Sequence, residues 1–364
     1  MVNCKREADL LAALPEKNSI IRGDLIELID RFKHAAMLKN KTILVSGGGG
    51  FLPSFLIKAL LSLSHAENLG IKVICVARKY ESVQARLCDW VSNPDLTIFI
   101  HDVSNPLPGN FPPAEIIIHA ASQASPKFYG VDPVGTIEAN TIGTSQLLKH
   151  AIKCQAEKFL YFSSGEVYGV PLNDESKLSE TDFGYLDPMN VRACYAESKR
   201  VAETMCVAWA KQFGLNASIV RPFHTYGPGM ALDDGRVFAD FVADVVNQRD
   251  ISIKSDGLAM RPFCYITDAT IGFLMVLLFG GTAEAYNVGN PDAEISIGDL
   301  AKLLAGLYPE KGIKVKYECD LSNSSYLKSP VTRSCLSIEK IRKLQWEPRI
   351  NLEVGFKRTV DSYL

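Results

Sequence analysis

The stretch Lys41-Thr-Ile-Leu-Val-Ser-Gly-Gly-Gly-Gly-Phe-Leu-Pro-Ser-Phe-Leu-Ile-Lys-Ala-Leu-Leu61 holds three kinds of local structure in succession. Thr42 to Val45 is a short apolar, β-branched run, Gly47 to Gly50 reaches backbone angles closed to other residues, and apolar residues recur at helical spacing from Ser54 to Leu61. The pattern predicts a strand, a tight turn and a helix. Such a turn aims backbone N–H groups and a helix N-terminus at one point, which suits the pyrophosphate of a dinucleotide. Gly47 and Gly50 fill the first two places of a G-x-x-G-x-x-G pattern, and Phe51 and Leu52 follow as further backbone contacts. The third place holds Pro53. Proline is tolerated in a first helical turn, so the helix is expected to survive, without the close helix-to-strand approach that a third glycine permits. Ordinary tight turns share this pattern, so its meaning rests on residues downstream.

At 364 residues the chain is long enough for one large α/β unit or a nucleotide-binding part with a smaller partner. Hydrophobic content of 47% and charged content of 22% are those of an ordinary globular protein. A formal charge of −2 provides no basic field for nucleic acid or anionic lipid, so a phosphate would have to be met by local arginines. The nine cysteines show no C-x-x-C pair, no signal peptide opens the chain and no apolar run approaches a membrane span. Buried thiols in the cytoplasm are the expectation, with no metal site.

Two amphipathic patterns, Glu7 to Leu14 and Asp24 to Leu38, precede the glycine-rich strand. Leu25, Ile26, Ile29, Phe32 and Ala36 predict a helix whose apolar face packs on the domain or on a second subunit. Lys72 to Ala77 reads as a second strand. Many NAD-binding domains carry an acidic residue at its end, where this chain has Arg78. Arg78 is open to three readings: a contact to a 2′-phosphate, which would mean NADP, stacking on adenine, or an exposed arginine at a strand end. Thr97 to Ile100 is a third strand, leading to Asp102 and Val103, with Asp102 placed to accept from an adenine amine. Glu115 to His119 is a fourth, opening into Ala120-Ala121-Ser122. Asn140 to Thr144 is read as the start of a helix, Lys158 to Ser163 as a fifth strand leading to Ser164-Gly165-Glu166, and Val220 and Arg221 as the end of a sixth strand. Strands alternating with helical patterns imply a Rossmann-type, doubly wound parallel sheet with its ligand at the strand C-termini. Tyr195 and Lys199 stand four apart in a helical pattern and share a face. An ammonium beside a phenol stabilises the phenolate, so Lys199 is expected to lower the Tyr195 pKa toward neutrality.

Taken together, the glycine-rich turn, Asp102-Val103, His119-Ala-Ala-Ser122, Asn140, Ser164, Tyr195-x-x-x-Lys199 and Arg221-Pro-Phe-His-Thr-Tyr-Gly-Pro228 resemble the extended short-chain dehydrogenase/reductase superfamily, in its NAD-dependent epimerase/dehydratase branch. The resemblance runs from about residue 41 to the C-terminus. Ala124-Ser-Pro126, Asn140 to Thr144, Tyr195 to Cys206, Asp234-Gly-Arg-Val237 and Asn287-Val-Gly-Asn290 are most similar to UDP-glucuronate decarboxylases. Nucleotide-sugar 4,6-dehydratases and 4-epimerases share a subset. What the resemblance implies is an NAD(P) cofactor, tightly bound and regenerated at each turnover, and a nucleotide-diphosphate sugar as substrate. Tyr195 would take the proton of the sugar 4-hydroxyl while hydride leaves C4, with Ser164 bonded to the same oxygen and Lys199 also on the nicotinamide ribose. The 4-ketone then permits loss of CO2 or water. Ala120, Ala121, Asn140 and Pro222 fall to the cofactor by the same likeness, and Ser122, Ser125, His224, Arg236, Arg261 and Arg333 to the substrate.

Dehydratases of the group usually show Thr-Asp-Glu and decarboxylases Thr-Ser-Glu where this chain has Ser164-Gly165-Glu166. Glu166 argues for chemistry at C5 or C6, or is an exposed carboxylate beside a turn, while Gly165 supplies neither acid nor hydroxyl. His224 stands where asparagine is common, and reads as a substrate contact or as a packed loop residue. Arg261 suits a diphosphate as a bidentate guanidinium. The expected division is a helical extension over residues 1–40, a cofactor-binding part over 41–222 and a mainly substrate-binding part over 223–364. A homodimer is expected by analogy. Decarboxylation leads, followed by 4,6-dehydration, then 4-epimerisation, and a non-catalytic NAD(P) sensor is the reading of a different class.

Overall fold

The computed structural model describes residues 14–171, 177–318, 333 and 335–364. Apart from Leu14, the pattern expected from Glu7 to Leu14 lies outside the described residues. All six expected strands form: β1 (Thr42–Ser46), β2 (Lys72–Ala77), β3 (Leu96–Ile100), β4 (Ile116–His119), β5 (Lys158–Phe162) and β6 (Ala217–Pro222). A seventh, Glu284–Val288, completes a parallel sheet in the order Glu284–Val288, β6, β5, β4, β1, β2, β3. Its short, mixed sequence carries no alternation, and pairing with β6 makes it a strand. The chain runs outward from β1 to the β3 edge and resumes at β4 on the other side of β1. That reversal opens a crevice at the strand C-termini, which is where such sheets bind ligands.

Alternate strand residues enter two separate cores. Ile43, Val45, Val73, Cys75, Ile116 and Ile118 pack on one face, and Leu44, Ile74, Val76 and Ile117 on the other. Burial on both faces explains why the strands read as continuous apolar runs. The helix after the glycine turn spans Phe51–Glu67, and Asn68 in the left-handed region ends it.

Two helix boundaries differ from expectation. The N-terminal helix is Ser19–Arg31, begun early because Asn18 Oδ1 accepts the N–H groups of Ile20 and Ile21 at 3.1 and 3.2 Å. It stops at Phe32, and Ala35–Leu38 forms a separate 3₁₀ turn. Its apolar face packs on Phe51–Glu67 and on helix Ile266–Phe279, within the chain. The helix read as starting at Asn140 instead spans Pro133–Lys153. Asp132 caps it by accepting the Gly135 N–H at 3.0 Å, and Pro133 occupies its first position, so Asn140 lies well inside.

Beyond β6, helices Val237–Val246, Ile297–Gly306 and Leu352–Asp361 pack on one another with short paired strands, while helix Ile266–Phe279 returns to pack on β5, β6 and Glu284–Val288 of the central sheet. The seven described cysteines are free thiols. Among the described residues no helix is long and apolar enough to cross a membrane.

Candidate active site

The glycine turn lies where β1 ends beside β4. Gly47 adopts φ +77°, and a Cβ there would stand 2.7 Å from the Ala121 Cα. A Cβ on Gly48 would reach the Cys75 Sγ at 2.2 Å. The tightest approaches to neighbouring strands therefore fall on Gly47 and Gly48, and Pro53 is accommodated, buried, at the third helical position. The Gly50 N–H donates to the Gly47 carbonyl at 2.7 Å, and Gly50 caps the helix with no side chain in the way. Phe51 and Leu52 then supply first-turn N–H groups that have no preceding helical carbonyl to meet.

Ser46 Oγ accepts the Ala120 and Ala121 N–H groups at 3.1 and 3.2 Å and bonds His119 Nδ1 at 2.8 Å, fixing the end of β4 against that of β1. Asp102 orients itself by accepting the Ser104 N–H and hydroxyl at 3.0 and 2.7 Å. Val103 is buried against Gly143. Arg78 is exposed. Asp132 is held below the usual carboxylate range by the Gln123 hydrogen bond and the Gly135 N–H, with a smaller contribution from Arg78.

Ser164 follows β5 and caps the 3₁₀ turn Gly165–Tyr168, its Oγ accepting the Glu166 N–H at 3.2 Å. Tyr195 sits in the first turn of helix Ala193–Phe213, hydrogen-bonded to Ser164. Lys199, one turn on, donates to the Phe162 carbonyl at 2.6 Å and lies 5.6 Å from the Tyr195 ring centroid. The Tyr129 ring stacks on Tyr195 at 5.1 Å with 17° between planes. Asn140 Nδ2 donates to Ser198 Oγ at 2.9 Å, and Ser198 donates to the Tyr195 carbonyl at 2.9 Å.

The electrostatics of the tyrosine–lysine pair correct the sequence reading. Burial pushes Tyr195 up to about 12, although the Ser164 hydrogen bond and Arg236 act the other way. Burial pushes Lys199 down to about 7 against the opposing charge of Glu203. Both side chains lose their water in the same place, and desolvation of the charged forms outweighs the support of Ser164 and Arg236 at Tyr195 and of Glu203 at Lys199.

On the opposite wall His224 is partly buried at φ +28°, its ring 5.8 Å from that of Phe263. Burial, reinforced by Arg261 and Arg236, pushes its pKa down to about 3, so the imidazole is neutral. Arg236 pairs with Asp234 at 2.7 Å, and Ser125 donates to the Asp234 carbonyl, joining the two walls. Arg261 donates to the Met260 carbonyl at 2.7 Å. Arg333 bridges to the Met260 strand but is half-exposed and bound bidentately by Glu294 at 2.9 and 2.8 Å. Pro222, the last residue of β6, leads directly to Phe223. A Cβ on Gly165 would stand 2.9 to 3.0 Å from three atoms of the Phe223 ring, so the site has no room for an acid or hydroxyl there as packed.

Ser122 Oγ, Asn140 Oδ1, His119 Nε2, His224 Nδ1 and Arg192 Nη1 are buried without a hydrogen-bond partner among the described residues. Buried polar atoms are ordinarily paired. Their presence on these segments, with the Gly47 cradle and the free first-turn N–H groups, fits a polar dinucleotide and a second polar ligand. Among the described residues no group of three His, Cys, Asp or Glu side chains could hold a metal ion. Tyr129 and Arg192 escaped the sequence reading. Arg192 had a legible signal, standing three residues before Tyr195 at the same helix start, whereas only the fold brings Tyr129 to that ring.

The sequence model of the NAD dependent epimerase/dehydratase family matches residues 43–289. The chain belongs to that family. Within the NAD-dependent epimerase/dehydratase family it is 35% identical over 317 residues to UDP-glucuronic acid decarboxylase 6 of Arabidopsis thaliana, covering 87% of each chain. It is 31% identical over 359 residues to UDP-glucuronic acid decarboxylase 1 of Xenopus tropicalis, covering 99% of this chain and 80% of that one. The chain is thus an enzyme of the nucleotide-sugar decarboxylase/dehydratase class of this family. Its fold is that of UDP-glucuronic acid 4-epimerase from Bacillus cereus, solved with UDP-glucuronic acid and NAD, at TM-score 0.74 and 23% identity over 88% of this chain and 98% of that one. dTDP-glucose 4,6-dehydratase from Bacillus anthracis, solved with NAD, superimposes at TM-score 0.70 and 21% identity over 88% of this chain and 96% of that one.

Proposed function

We propose that this enzyme is a UDP-glucuronate decarboxylase that oxidises the sugar at C4, releases the C6 carboxylate as CO2 and restores C4 before the product leaves. The observation that carries the reading is the convergence of Ser164, Glu166 and Tyr195, with Lys199 beneath, at the C-terminal end of β5. The absence of an acid or hydroxyl at Gly165, whose side-chain space Phe223 fills, weighs against dehydration, which needs a proton donor for the departing 6-hydroxyl.

In this reading Gly47, Gly50, Phe51 and Leu52 hold the cofactor diphosphate. Asp102, Val103 and Arg78 border its adenosine, and Ala120, Ala121, Asn140, Lys199 and Pro222 border its nicotinamide end. Bound NAD, or NADP if Arg78 meets a 2′-phosphate, supplies the hydride acceptor for C4 and later the donor, and it stays bound between turnovers. Tyr195 receives the 4-hydroxyl proton, with Ser164 bonded to the same oxygen. The Ser164 hydrogen bond and Arg236 offset part of the cost of a buried phenolate, and the Lys199 ammonium lies 5.6 Å from the ring centroid. Once C4 is a ketone, the C6 carboxylate is that of a β-keto acid. The electron pair of the breaking C5–C6 bond moves into an enolate whose oxygen Tyr195 and Ser164 hold. Glu166, exposed at the turn, relays the proton that C5 then needs. Arg236, Arg261 and Arg333, with neutral His224, face the nucleotide diphosphate. The homodimer and the cytoplasmic setting remain part of this proposal. Val134, Ile137, Val201 and Val207 are exposed on helices Pro133–Lys153 and Ala193–Phe213, as surface that a second copy would cover.

The test is mass spectrometry of the product after incubation in deuterated water with UDP-glucuronate, UDP-glucose, dTDP-glucose, CDP-glucose and GDP-mannose separately. Loss of CO2 from UDP-glucuronate with deuterium gained at C5 is the expected outcome. Loss of water, or inversion at C4 with an unchanged skeleton, would replace decarboxylation by dehydration or epimerisation.

A further inference from the structure

Arg192 stands beside the Tyr195 cluster and has no part in the mechanism above. It occupies the position immediately before helix Ala193–Phe213, three residues ahead of Tyr195, with its side chain only 13% exposed. Its Nη2 lies 3.5 Å from Glu166 Oε2, short of a close bidentate contact. Its guanidinium carbon sits 5.7 Å from the centroid of the Tyr129 ring, the ring that stacks on Tyr195. Its Nη1 is buried and meets no hydrogen-bond acceptor among the described residues. A buried guanidinium donor without an acceptor is costly, so the position calls for an oxygen that arrives with a ligand.

The charge of the group narrows the choice. A guanidinium stays protonated at any working pH, and the loose, half-exposed contact to Glu166 leaves much of its field unanswered. An anionic oxygen gains a charge-assisted hydrogen bond there that a neutral hydroxyl does not. Glu166 is the residue assigned to C5, so the oxygen beside both side chains belongs to the substituent at C6. Resting on the reading above, we infer that Arg192 binds the C6 carboxylate of the hexuronate and sets the preference for an acid over an alcohol at that carbon. An arginine has no proton to give a departing 6-hydroxyl, so the residue that selects the acid also disfavours dehydration.

The experiment is calorimetric binding of UDP, UDP-glucose and UDP-glucuronate, with NAD present, to the Tyr195→Phe protein, in which nothing turns over, and to the same protein carrying Arg192→Leu or Arg192→Lys. Arg192→Leu is expected to weaken UDP-glucuronate by about 10- to 100-fold while leaving UDP and UDP-glucose unchanged, and Arg192→Lys to recover part of the loss. If all three ligands weaken alike, Arg192 is structural and the inference is overturned. If UDP-glucuronate binds equally with and without Arg192 yet better than UDP-glucose, the inference fails while the decarboxylase reading stands. If the parent protein shows no preference for UDP-glucuronate, that reading falls and the inference falls with it.

Discussion

Tyr195 and Glu166 lie in one cluster but are asked for different steps, and substitution separates them. Tyr195→Phe removes the hydroxyl that takes the C4 proton, so turnover should vanish while nucleotide-sugar binding stays nearly intact. Glu166→Gln should slow CO2 release or C5 deuterium uptake far more than C4 oxidation, read as transient cofactor reduction in single turnover. Equal loss of both steps would remove Glu166 from C5. Gly165 offers a packing test. A side chain there meets the Phe223 ring, and overpacking of this kind costs about 1 to 3 kcal/mol. Gly165→Ser should lower the melting temperature without improving catalysis, and Phe223→Leu in the same chain should recover part of the loss.

At the scale of elements, helix Ala193–Phe213 is tied to β6 by a buried pair. Arg221 donates to Glu203 from Nε at 2.9 Å and from Nη2 at 2.6 Å, and from Nη1 to the Tyr168 hydroxyl at 2.8 Å. The Tyr168 hydroxyl donates to Asn287 Oδ1 at 2.6 Å, reaching the seventh strand. This pair holds the Tyr195 helix against the sheet and keeps a negative charge near Lys199. Glu203→Ala leaves the Arg221 guanidinium buried and unpaired, and breaking such a pair costs about 3 to 5 kcal/mol. Denaturant unfolding should show that loss. Glu203→Leu combined with Arg221→Met should be milder than either change alone, because neither charge is then stranded.

For the whole molecule, the N-terminal helix acts as a clasp. Asp24 accepts from Tyr265 at 2.6 Å and from Arg358 at 2.9 Å, Glu27 accepts from Arg358 at 2.7 Å, and Arg31 pairs with Asp268. Asp268 also accepts the Arg349 and Ile350 N–H groups at 2.9 and 2.8 Å, so one buried network joins the first described helix, helix Ile266–Phe279 and the C-terminal helix. Farther along, Glu16 pairs with buried Lys58 at 2.7 Å and accepts the Trp90 indole N–H at 3.0 Å. Burial pushes Asp24 up to about 7, against the Tyr265 hydrogen bond and the Arg358 charge. The folded chain then keeps a proton that the unfolded chain releases from about pH 4 upward. The stability this contributes is complete below that pH and is lost as pH rises through about 7. Asp24→Asn should flatten the fall in melting temperature between about pH 4 and about pH 7, leaving the contribution of Asp268, which burial also raises.

Six strands, the glycine turn and the one-turn spacing of Tyr195 and Lys199 were determined by the sequence alone. They rest on backbone freedom at glycine and on residue periodicity, both local properties, and the joint order of the motifs was enough to indicate the family. Tertiary structure decided what depends on partners distant in the chain. Glu284–Val288 is a strand because β6 is there to pair with it, and helix Pro133–Lys153 begins where Asp132 caps it rather than at Asn140. Phe223 closes the space at Gly165, Tyr129 reaches the Tyr195 ring only when the segment after β4 folds beside it, and Arg192 meets Glu166 only because helix Ala193–Phe213 packs on the turn after β5. The sign of the pKa shift at Tyr195 belongs to the same class. Spacing places an ammonium near a phenol, but how much water each keeps is a property of the packed molecule, and here desolvation prevails.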